Sequence, residues 1–163
     1  MKILKTVLML CLTAVFSQTA SAESIWDKPI ENAVDNVSAK VYRSATCGCC
    51  KKWIQHIKQH NITVEDNVLE TRALQQLKLK FDITPNLQSC HTAVIGSHVV
   101  EGHVPAADIM SMLKQKTQVY GLTVPQMVTG SPGMEMGGRK DAFSVISFDQ
   151  SGKFEDYNSY SNY

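Results

Sequence analysis

The sequence predicts an α/β domain, on three observations. Short apolar runs of strand type interleave with segments of helical period. A group of cysteines falls at the first strand-to-helix turn. The chain is 44% hydrophobic and 19% charged over 163 residues, a globular balance that excludes disordered and low-complexity classes. A long Gly- and Met-rich loop and a terminal hairpin follow the α/β part.

The elements follow in order. Glu23 to Ala39 carries no clear element, although Trp26 and Ile30 are apolar enough to dock on a core. Lys40 to Ser44 reads as a short strand. Thr46-Cys47-Gly48 is a turn, after which Cys50, Trp53, Ile54 and Ile57 recur at i, i+3, i+4 and i+7, a helix ending by Asn61. Ile62 to Val68 alternates as a strand. Glu70 to Phe81 is a second helix with Leu74, Leu77 and Phe81 inward, and Thr84-Pro85 breaks the chain. Cys90 to Ile95 and His98 to Val100 pair as a hairpin across Gly96-Ser97. Pro105 opens a third helix carrying Ile109, Met112 and Leu113. Thr117 to Asp141 is the long loop, and Phe143 to Phe148 with Phe154 to Tyr157 forms the last hairpin.

Residues 1–22 stand apart. Lys2 and Lys5 form a basic start, Thr6 to Phe16 is an apolar run, and Ala20-Ser21-Ala22 supplies a small-x-small cleavage site. This is a signal peptide, leaving residues 23–163 as a single domain. The apolar run is shorter than the about 20 residues a membrane span needs, and no longer run follows. Cys11 leaves with the leader. Sixteen Lys and Arg against fifteen Asp and Glu, without a basic block, exclude a nucleic-acid footprint. The expected location is the periplasm.

In that oxidising compartment, four cysteines would ordinarily form two structural disulfides. Cys47, Cys49, Cys50 and Cys90 are spaced against this, because three of them lie within four residues and close no useful loop. Such crowding concentrates thiolates. Soft sulfur ligands select Cu(I), closely spaced sulfurs bridge more than one ion, and nitrogen from His91 or His103 suits Cu(II). His103 lies just before the third helix, where its alternative role is to hydrogen-bond at the helix start. In a regular strand Cys90 and His91 face opposite ways, so both can serve one site only if the strand begins after them.

The remaining soft or basic side chains divide. Met134 sits in a Gly-rich loop with no core to fill, and reads as a copper ligand or a lid; Met136 has the weaker claim. Met110 and Met112 read as core filler. His56 and His60, at i and i+4 beside Lys52, Gln55 and Gln59, read as a solvated face.

The order β-α-β-α-β-β-α with C-x-x-C spacing between Cys47 and Cys50 resembles the thioredoxin fold. Thr84-Pro85 stands where that fold holds a cis-proline beside its active cysteines. A closer resemblance lies in four motifs: Tyr42 to Trp53 (YRSATCGCCKKW), Ser89 to Ala93 (SCHTA), Val100 to Ala106 (VEGHVPA) and Gly130 to Glu135 (GSPGME). Together they resemble the periplasmic copper-resistance family typified by CopG. The resemblance spans about Lys40 to Phe148. One departure is Gln126, where that family usually has Gly. The resemblance implies a thioredoxin-like domain that binds several copper ions through its C-x-C-C and Cys-His segments and changes their oxidation state. Its partners would be copper ions and other periplasmic copper-handling proteins. Two alternatives share these residues: a thiol-disulfide oxidoreductase with Cys47 as nucleophile and Cys50 as resolving thiol, and a passive Cu(I) chaperone.

Overall fold

The computed structural model describes residues 24–115 and 119–163, and the expected signal peptide lies outside them. Seven strands form one mixed sheet in the order β2-β1-β3-β4-β5-β6-β7. They are β1 Ser38–Arg43, β2 Thr63–Val68, β3 His91–Ile95, β4 His98–Gly102, β5 Gly121–Val124, β6 Phe143–Phe148 and β7 Phe154–Tyr160. Helices α1 Gly48–Gln59, α2 Thr71–Lys80 and α3 Ala106–Lys114 connect them. Pairs β1/β2 and β4/β5 are parallel, and the other four pairs are antiparallel. No described helix is long and apolar enough to cross a membrane.

Strand alternation divides the sheet into two faces. Ala39, Val41, Ala93, Val100 and Leu122 belong to a core with Trp53, Ile54 and Ile57 of α1 and Ile109, Met110 and Met112 of α3. Both methionines are fully buried, as core filler should be. Val99 and Phe148, on the other face, form a smaller core with Ile83 and Leu87.

Several boundaries differ from the sequence reading. The segment before β1 is not featureless: Ser24 caps a 3-10 turn over Ile25–Asp27, and Trp26 is buried against Phe143, Tyr160 and Tyr163. The long loop contains a strand, β5, whose four residues are all buried. A strand buried on both faces shows no alternation and leaves no periodic signal. In α2, Leu74 is buried and Leu77 and Phe81 are half-buried, while the fully buried side chain is Lys78. Among the described residues no peptide bond is cis. Thr84-Pro85 therefore opens a trans 3-10 turn, Pro85–Leu87, where proline's fixed φ suits the first position. The residue brought beside the cysteines is Cys90.

Candidate metal centre

Helix α1 begins at the cysteines. Cys47 is its N-cap, with Sγ accepting the Cys50 backbone N–H at 3.2 Å. The first turn holds no acidic residue, so the unpaired N–H groups and positive end of the helix face sulfur. Cys47 and Cys50 are joined as a disulfide with Cα atoms 5.3 Å apart, and Cys49 and Cys90 are free thiols. Cys49 Sγ lies 3.5 Å from Cys47 Sγ, and Cys90 Sγ lies 3.5 Å from Cys50 Sγ. All four sulfurs fall within 4.8 Å of one another.

Cys90 joins this group to a second one. Its sulfur is 3.4 Å from His91 Nδ1 and 3.1 Å from His103 Nε2, and these three ligand atoms also lie within 4.8 Å of one another. Strand β3 begins at His91 itself rather than after it, yet the two side chains still meet, because Cys90 alone lies outside the strand and is free of its alternation. His103 performs both roles considered for it. Nδ1 donates to the Pro132 carbonyl at 2.8 Å, while Nε2 faces the Cys90 sulfur.

The donor chemistry fits copper. Sulfur and neutral imidazole are ligands for Cu(I) and Cu(II), and no carboxylate belongs to either group. His91 is wholly buried and its Nε2 has no hydrogen-bond partner, an open lone pair or proton in a protein interior where such atoms are rare. Burial holds its pKa well below the usual histidine value, with the charges of His103, Lys78 and Arg43 adding to that effect. Burial also lowers His103. Both rings are thus kept neutral, the form that binds metal. Burial, with Cys49 alongside, pushes the Cys90 thiol up to about 12, so a bound cation is what would make it a thiolate.

Packing sets the imidazoles. The Trp53 ring lies 4.4 Å from that of His91, and its Nε1–H donates to the Val104 carbonyl at 2.8 Å. The His91 and His103 rings meet edge-on at 5.0 Å. The Gly-rich loop closes over α1: a Cβ on Gly133, at φ +81°, would come within 2.6 Å of Trp53 N and 3.0 Å of Cys49 O. Met134 follows it and is buried at 8% exposure, whereas Met136 and Met127 are 60% and 59% exposed.

Two histidines expected in solvent are not there. His56 and His60 are 6% and 7% exposed. His56 Nε2 accepts the Ala106 N–H at the start of α3, and His60 Nε2 donates to the Trp26 carbonyl. The turn around Trp26 and the start of α3 cover this side of α1, which its polar neighbours Lys52, Gln55 and Gln59 do not betray.

The sequence reading missed Lys78, Thr92 and Glu101. Lys78 Nζ stands 2.5 Å from Glu101 Oε1, both at most 1% exposed, with Thr92 bridging them. The signal was present: Lys78 lies at i+4 from Leu74 on the apolar stripe of α2, and Glu101 interrupts the apolar run of β4.

Residues 87–134 match the family described as "Protein of unknown function, DUF411". Comparison with curated protein sequences gives no match. Two solved structures of copper resistance protein CopG are similar to the chain. Form 2 is 41% identical, with TM-score 0.72, covering 77% of this chain and 98% of that one. Form 1 is 41% identical, with TM-score 0.70, covering 76% and 96%.

Proposed function

Since the chain belongs to the family of copper resistance protein CopG, we propose that it is a copper-binding protein of copper resistance. One observation carries this: four sulfurs within 4.8 Å of one another share Cys90 with a second group containing His91 and His103. Copper is the cargo. Cys47, Cys49, Cys50 and Cys90 hold several ions as a cluster, His91 and His103 add nitrogen, and Met134 supplies a thioether or covers the cluster. An external dithiol, itself oxidised to its disulfide, would supply the two electrons and two protons that convert the Cys47–Cys50 disulfide to two thiols and so make all four sulfurs available. With both sulfur and nitrogen present, the ions pass between Cu(I) and Cu(II), exchanging one electron each with an external redox partner. As an enzyme it would be a copper oxidoreductase.

The domain is read as thioredoxin-like. The order β2-β1-β3-β4, with β1 and β2 parallel, β3 antiparallel to both its neighbours, and the cysteines at the first βα turn, supports that reading. It is exported and cleaved after Ala22 to act in the periplasm alongside other copper-handling proteins, as Lys2, Lys5, the Thr6–Phe16 run and Ala20-Ser21-Ala22 support. Intact mass of the periplasmic form should begin at Glu23; a retained Met1 would contradict export.

A second reading has its own observation. The Cys47–Cys50 disulfide with a free Cys90 sulfur 3.5 Å from Cys50 is also the arrangement of a thiol-disulfide oxidoreductase. Reduced protein loaded anaerobically with Cu(I), desalted and assayed for metal separates the two. More than one copper per chain supports the cluster; none, with dithiol-dependent reduction of a model disulfide, supports the alternative.

A further inference from the structure

One buried carboxylate ties together the two segments that carry Cys90, His91 and His103. Glu101 Oε1 accepts the Ser89 backbone N–H at 2.6 Å, and Oε2 accepts the Thr92 hydroxyl at 2.6 Å. Lys78 Nζ, reaching in from α2, donates to Oε1 at 2.5 Å and to Thr92 Oγ1 at 3.1 Å. Ser89 and Thr92 bracket Cys90 and His91, and Glu101 lies two residues before His103. Between them Gly102, at φ +73°, allows close approach: a Cβ there would stand 2.5 Å from Ser89 Cβ. The Ser89 hydroxyl donates in turn to the Gln126 carbonyl.

A buried ion pair is a poor device for stability alone, because apolar or neutral residues of similar volume often serve a core as well or better. Its strength lies in geometry. Charge-assisted hydrogen bonds are short and directional, and here one holds the Ser89 backbone N–H just before Cys90 while another holds the Thr92 hydroxyl just after His91. Thr92 and Glu101 face the opposite side of the sheet from His91, so they act on the ligands through the strands.

We propose that Glu101, held by Lys78, is a positioning residue that sets Cys90, His91 and His103 in register for a shared copper ion. This rests on the copper reading above. The test compares full-length wild type with Lys78→Met/Glu101→Gln, a neutral pair of similar volume, and with Thr92→Val, which removes one tie without stranding a charge. Thr92→Val decides if the double variant does not fold. Metal-free, reduced protein is treated with iodoacetamide, and alkylation of Cys90 and Cys49 is followed by peptide mass spectrometry. Cu(I)-loaded protein is then challenged with bathocuproine disulfonate.

The expected result is a variant with wild-type thermal midpoint, several-fold faster alkylation at Cys90, unchanged alkylation at Cys49, and Cu(I) retention weakened about 10–100-fold. A folded variant matching wild type in both Cys90 alkylation and Cu(I) retention would overturn the proposal. Wild type that fails to retain Cu(I) would instead defeat the copper reading, while the metal-free alkylation would still decide whether Glu101 positions Cys90.

Discussion

Nε2 of His103 stands 3.1 Å from the Cys90 sulfur, while Nδ1 of the same ring is 2.8 Å from the Pro132 carbonyl. A carbonyl only accepts, so Nδ1 carries the proton and Nε2 turns its lone pair toward the sulfur. The Gly-rich loop thus selects the tautomer that a metal ligand needs, an outer contact of the kind that orients metal-binding histidines.

His103→Gln should therefore weaken copper retention by about tenfold or more, using the loss of an orienting contact as the lower bound. It should also reduce nitrogen hyperfine structure in the Cu(II) EPR spectrum. Retention and hyperfine structure equal to wild type would leave His103 as a hydrogen bonder only.

The four sulfurs should behave as one set. Serine at any of Cys47, Cys49, Cys50 or Cys90 is expected to lower copper stoichiometry, with double variants losing less than the sum of the singles. Cys49→Ser is the most informative, since a C-x-x-C exchange site uses only Cys47 and Cys50. Full copper loading in Cys49→Ser would move the balance to disulfide exchange.

His56 links stability to pH. Burial, with the nearby charges of His60 and His103, lowers its pKa from 6.5 to about 3. Between those values the unfolded chain binds a proton that the folded chain refuses. Its contribution is therefore full above pH 6.5 and is lost as pH falls toward 3. His91 and His103 act in the same direction, whereas Glu101 and Asp108, raised by burial, act oppositely as pH rises above their ordinary values. Comparison with His56→Gln isolates the one group. The lead of wild type in urea unfolding should shrink by about 2 kcal/mol between about pH 7.5 and pH 5. A lead that stays constant would contradict a neutral buried His56.

Gln126 holds φ +65°, left-handed backbone that a residue with a Cβ adopts at a cost. It is kept there because its N–H donates to Gln88 O at 2.9 Å and its carbonyl accepts from Ser89. Gln126→Gly should stabilise the protein by about 0.5–1 kcal/mol, read as a higher thermal midpoint at unchanged copper content. A lower midpoint would mean that the Gln side chain contributes more than its backbone strain costs.

Much of this was legible in the sequence where period and punctuation are strong. The i, i+3, i+4, i+7 spacing of Cys50, Trp53, Ile54 and Ile57 marked α1, and all four side chains are buried. Gly96-Ser97 marked the β3/β4 turn, and Pro105 the start of α3. What failed did so because tertiary contacts override local pattern. His56 and His60 have polar neighbours in sequence, yet Trp26 and Ala106 cover them. Gly121–Val124 pairs on both sides and carries no alternation. Lys78 and Glu101 each look like an isolated charge until the fold brings α2 under β4. Cys90 meets Cys50 across forty residues, as reading the four cysteines as one metal-binding set expects.

Whether bound copper changes oxidation state without leaving the protein is read directly by EPR. Reduced protein is loaded with Cu(I), desalted, and treated with a mild oxidant and then a reductant, with metal content and EPR recorded at each step. Copper held in the cluster should give a Cu(II) signal that appears with oxidant and disappears with reductant while copper per chain stays constant. Copper expelled on oxidation, leaving Cys47 and Cys50 disulfide-bonded, would contradict it.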